Sequence, residues 1–159
     1  SMALGFISIL LGFVSIYIAI KISTKSTNIE LKTNIKFVKD VIKDTENEVE
    51  GNLDNSDIQT AVDLLLQSGK KHDASYYYLL ALKDYKNKCY KDAEQNFIQA
   101  IDVRNGKYPA ALFYLGHTYL KQSKNKGDDF FNKAKECFEK ASKLEHKYAI
   151  RQLELLNEK

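Results

Sequence analysis

Residues Ala3 to Ile20 read ALGFISILLGFVSIYIAI, eighteen consecutive positions without a charge, and no other stretch limits the chain's options as strongly. At ~1.5 Å rise per residue such a helix covers roughly 27 Å, close to the hydrocarbon thickness of a bilayer. A cleaved signal peptide would carry a basic start and a small-residue cleavage site, and a soluble core helix is seldom apolar all round. The run lacks those features, so residues 3–22 are expected to form one transmembrane helix. No Lys or Arg precedes it, whereas Lys21, Lys25, Lys32, Lys36 and Lys39 follow. The positive-inside bias therefore places the C-terminal part in the cytoplasm.

Within the run, Gly5, Ser8, Gly12, Ser15 and Ala19 recur at steps of three and four and so share one helical stripe. Small side chains let helices approach closely in lipid, which makes this stripe an expected homo-oligomer or pore-lining face. After a polar stretch, Thr27 and Glu30 have capping-box spacing. A connector helix over 23–51 is expected, separated from the span by a break or rotation near Ser26. Its apolar seam is Leu31, Ile35, Val38, Ile42, Thr45 and Val49. That seam suits either an oligomeric stalk or an amphipathic helix packed on its own domain.

The 159-residue chain is short of Pro (one) and has only two cysteines, so a disulfide scaffold or a turn-rich β-fold is disfavoured and an all-α fold is expected. Helix signals recur quickly: Asn55 or Ser56 with Gly69 as a stop, Asp73 through Tyr85, Asp92 to Val103, Pro109 through Lys121, Asp128 or Asp129 through Leu144, and Lys147 to Asn157. Short connections between such helices imply antiparallel neighbours, so residues 52–159 are expected to form a short α-solenoid.

Two copies of one pattern lie in this part. Leu112, Leu115 and Gly116 followed by Ala134, Phe138 and Ala141 parallel Tyr77, Leu80 and Ala81 followed by Ala93, Phe97 and Ala100, while Asp84 departs at the position of Tyr119. The pattern resembles tetratricopeptide and Sel1-like repeats. The offset is 35 residues at Leu80 and Leu115 but 41 at Ala93 and Ala134, so a six-residue insertion near 122–128 is expected as a longer loop. In such repeats these positions are structural. The resemblance also implies a groove lined by the first helix of each pair, which here selects Ser75, Tyr78, Leu82, Tyr85, Lys86, Phe113, His117, Leu120 and Lys121.

Charge is segregated: residues 1–39 carry net +4, 40–69 carry −7, 70–126 carry +6, and 127–159 balance. Eight of the ten tyrosines fall in the basic segment. Cations for phosphates interleaved with rings for bases suit a single-stranded oligonucleotide or a cyclic nucleotide signal, and the candidate ligand residues are Tyr78, Tyr85, Lys86, His117 and Lys121. An acidic peptide or protein partner suits the same face. His72, His117 and His146 are dispersed, Cys89 and Cys137 stand alone, and no phosphate loop or nucleophile motif occurs. Neither enzymatic activity nor a metal or other cofactor is expected.

A short span followed by a helical cytosolic part is similar in layout to small membrane effectors of bacterial antiphage defence, such as those of Hailong and type III CRISPR systems. That resemblance implies a homo-oligomeric, single-pass protein of the bacterial inner membrane gated by a nucleotide signal. It rests on layout and carries no residue over. The other expectation is a membrane-tethered scaffold that docks a protein partner.

Overall fold

A computed structural model describes residues 2–47 and 54–158, with side chains described at 15–46, 54–123 and 127–158. The described residues are all-α, seven helices without a strand: α1 (Met2–Asn47), α2 (Asn55–Gln67), α3 (Ala74–Lys86), α4 (Tyr90–Val103), α5 (Pro109–Lys126), α6 (Asp128–Lys143) and α7 (Lys147–Asn157). The chain divides after Phe37. One unit is the first part of α1, and the other holds the end of α1 with α2–α7.

Local chemistry explains most helix starts. The Asp54 and Asp73 carboxylates accept hydrogen bonds from the Ser56 and Ser75 amides at 3.1 and 2.7 Å, each filling an otherwise unmatched first-turn donor. Pro109 opens α5, where its missing N–H costs nothing. His146 caps α7 by accepting from the Ala149 amide through Nδ1 at 3.3 Å.

Helix ends depart from simple glycine stops. Gly69 has φ +74° after α2, but Lys88, Asn105 and Glu145 take the same left-handed conformation after α3, α4 and α6. In all four turns an amide reaches back to a carbonyl of the last helical turn: Lys70 to Leu65, Cys89 to Asp84, Gly106 to Ile101 and His146 to Ala141, at 2.9 to 3.1 Å.

Two expectations are corrected here. α1 runs without interruption through Ser26, because the Thr27 hydroxyl donates to the carbonyls of Ser23 and Thr24 at 3.1 and 3.0 Å. A threonine that bonds to the preceding turn needs no helix start to satisfy it. The extra residues near 122–128 form no loop: they lengthen α5 to Lys126, and Gly127 alone, at φ +82°, joins α5 to α6.

From α2 to α7 each helix packs on the next along the chain, and α3 also meets α5. The second helices of the two pairs bury the same triplet completely, Ala93, Phe97 and Ala100 in α4 and Ala134, Phe138 and Ala141 in α6. Gly116 faces the ring of Phe138 so closely that a Cβ at that position would stand 2.7 Å from Cε1. The first helices match less well, since Leu112 and Leu115 are buried while Tyr77 and Leu80 are only half-buried.

Among the described residues no helix is long and apolar enough to cross a membrane. The expected span lies mostly outside the described side chains, and so do Gly5, Ser8 and Gly12 of its stripe. Ser15 and Ala19 are described and exposed.

Candidate functional site

The site begins at the end of α1. Leu31 and Ile35 are exposed at 50% and 40%, but Val38, Val41 and Thr45 are buried. Steps of three and four put those three on one helical face. The expected seam is therefore rotated slightly, with Val41 buried and Ile42 half-buried, and Val49 lies outside the described residues. Between the two expectations for this helix, residues 38–46 pack on the chain's own helical unit.

What they pack on is a cluster of rings from α3, α4 and the start of α5. Tyr78 of α3 is fully buried, with ring centroids 6.2 Å from Phe97, 4.9 Å from Tyr108 and 6.3 Å from Tyr114. Phe97 and Tyr114 stack at 6.1 Å with planes 9° apart. The Tyr114 hydroxyl donates to the Thr45 carbonyl at 3.4 Å, which ties α5 to the last turn of α1. The Tyr78 hydroxyl interacts with Thr45 and the Tyr108 hydroxyl with Glu46, but neither oxygen, both buried, closes to a full hydrogen bond. The Thr45 hydroxyl is turned to the Ile42 carbonyl at 2.7 Å.

Electrostatics follow from that burial. Desolvation raises the Glu46 carboxyl above the usual glutamate range, opposed by its interactions with Tyr108 and Arg104. The Arg104 guanidinium lies 4.0 Å from the centroid of the Tyr108 ring, a cation–π contact of about 0.5–1 kcal/mol where exposed. Burial pushes the Tyr78 and Tyr108 phenols far above their ordinary range, so both stay protonated donors at any physiological pH.

A second ring group lies beside the first. Phe113 adjoins Tyr114 at 5.5 Å and contacts His117 at 4.5 Å, Phe138 at 5.8 Å and His146 at 4.7 Å. The His146 imidazole is held below the usual histidine range, chiefly by burial and then by Lys147. As a cap accepting an amide proton it keeps Nδ1 unprotonated.

The candidate ligand residues are thus brought together only in part. Tyr78 and Tyr85 both contact Tyr114, with Tyr85 half-buried and also 5.7 Å from Tyr90. His117 belongs to the Phe113 group and is half-buried. Lys86 is half-buried at the end of α3, close enough to Asp54 to attract its carboxylate, and Lys121 is exposed on α5. Of the eight tyrosines in the basic segment, Tyr78, Tyr108, Tyr114 and Tyr119 are buried. Those rings are spent on the core.

Sequence reasoning missed Glu46, Arg104 and Tyr108 at this site. The last two precede Pro109 in a turn, where nothing local announces a contact with α1. Elsewhere, Gln122 donates to Glu94 at 2.8 Å between α5 and α4, and Asn96 donates to Asp84 at 2.8 Å between α4 and α3, so these polar groups serve helix packing. Among the described residues no group of three or more His, Cys, Asp or Glu could hold a metal ion. No family model, no curated protein and no solved structure matches the chain.

Proposed function

We propose that the protein is a membrane effector: the apolar run spans the cytoplasmic membrane as a homo-oligomeric bundle, and the helical unit reads an anionic signal and passes its state to the span through α1. The observation that carries this reading is that a single helix, α1, contains both the apolar run and the segment Val38–Glu46 packed on Tyr78, Tyr108 and Tyr114. A change in that packing acts directly on the helix that holds the run. The equal burial of Ala93, Phe97 and Ala100 with Ala134, Phe138 and Ala141 supports tetratricopeptide-like pairing in α3–α6. A role in bacterial antiphage defence rests on the resemblance in layout alone.

A second reading, a membrane-tethered scaffold that docks a protein partner, is favoured by the burial of Tyr78, which leaves that ring no open face for a base. Liposome flux separates the two. Under the effector reading, the full-length protein conducts dye or ions, Gly12→Leu alters that conduction, and Lys86→Glu with Lys121→Glu removes its response to oligonucleotides. The response also weakens steeply as salt rises, because phosphate neutralisation releases counterions. Flux that is absent, or indifferent to all these changes, rejects the effector reading. The scaffold reading then requires that a foreign span preserve function in cells.

A further inference from the structure

We propose that the end of α1, Val38–Glu46, is a releasable plug on the tyrosine face of the helical unit, whose withdrawal uncovers Tyr78, Tyr108 and Tyr114. This does not depend on whether the apolar run crosses a bilayer.

Three observations carry it. First, the contact starts only at Val38. Val38, Val41 and Thr45 are buried, while Leu31 and Ile35, which precede them on the same helix, are exposed. Second, its polar fit is incomplete. Tyr78 and Tyr108 are 0% and 1% exposed, yet their hydroxyls make no hydrogen bond. The Tyr114 hydroxyl reaches the Thr45 carbonyl only at the long limit of 3.4 Å. The Thr45 hydroxyl, which could match Tyr78, is turned back on its own helix. Buried donors without acceptors are costly, so the face has more hydrogen-bonding capacity than α1 uses. Third, the segment carries a carboxylate into that contact. Glu46 is half-buried against Tyr108 and Arg104, where a charged group loses water.

An element so matched is expected to open locally while the helices beneath it stay folded. Opening gives both hydroxyls water.

Native-state hydrogen exchange on the full chain in detergent or nanodiscs tests the proposal. Amides of 38–46 are expected to exchange roughly 100-fold faster than those of Ala93–Ala100 in α4, through local opening. Tyr78→Phe keeps the ring and deletes one unmatched hydroxyl, so it should slow exchange of 38–46 several-fold and leave α4 unchanged. Val41→Lys should release the segment while α4 keeps its protection. Exchange of 38–46 at the α4 rate, faster exchange in Tyr78→Phe, or collapse of α4 protection in Val41→Lys would each make the segment an ordinary core element and overturn the proposal.

Discussion

Replacing Gly116 by alanine sets two opposing effects against each other at one atom. In an unconstrained helix the change stabilises, since Gly costs about 1 kcal/mol relative to Ala. Here the new Cβ would meet Phe138 at 2.7 Å from Cε1, 2.8 Å from Cζ and 3.0 Å from Cδ1, whereas ordinary contact begins near 3.4 Å. The ring has nowhere to move: Phe138 is fully buried, with centroids 5.8 Å from Phe113 and 5.2 Å from His117. Overpacking of this kind costs ~1–3 kcal/mol, so the net loss is about 1 kcal/mol. For a unit spanning Val38–Lys159 that lowers the thermal midpoint by about 4 °C. Near-ultraviolet circular dichroism follows it directly, because tyrosine packing dominates that signal in a chain without Trp. In a Phe138→Leu background the clash disappears and the same alanine should become neutral or stabilising, a coupling of ~1–2 kcal/mol. A higher midpoint for Gly116→Ala alone, or no coupling, would refute the close approach of α5 and α6.

Glu46 should make the α1 contact sensitive to acid. Its folded carboxyl binds a proton more tightly than the unfolded one, because burial opposes the charge, so the contact gains stability as pH falls through the raised value and is weaker above it. The protection of 38–46, measured relative to the intrinsic exchange rate at each pH, should therefore rise as pH falls through the raised value, and Glu46→Gln should abolish that rise; an unchanged protection profile in the variant removes Glu46 as the cause. The two cysteines should differ in reactivity. Cys89 is exposed, whereas Cys137 is buried with its thiol pushed up to about 12, so alkylation of the native protein should label Cys89 alone; equal labelling contradicts the α6 packing. Arg104→Ala should destabilise the helical unit by about 0.5–1 kcal/mol by removing the cation from the Tyr108 ring, and a Tyr108→Leu background should erase that cost.

The helices were legible because their signals are local. Asp73 and Pro109 act within a turn of where they stand, and α7 runs over Lys147–Asn157 as the pattern predicts, whereas α2 is capped by Asp54 and not by the expected Asn55 or Ser56. The repeated Ala, Phe, Ala triplet likewise announced the buried faces of α4 and α6, since periodicity along a helix reports which side is apolar. Periodicity does not report what covers that side. The seam of α1 fitted a stalk as well as a packed end, and only the folded unit buries Val38, Val41 and Thr45 and sets Thr45 against Tyr78 and Tyr114. Tyrosine itself is ambiguous in sequence, having a ring that fills a core and a hydroxyl that suits a site. Burial of Tyr78 and Tyr108 decided between those uses, and left their oxygens facing the end of α1. The same holds for the turns at Lys88 and Glu145, where packing of the flanking helices imposes a left-handed backbone that neither side chain favours. Sequence set the helices and their apolar faces through interactions a few residues long, while the partner of each face was fixed by contacts between residues as distant as Thr45 and Tyr114.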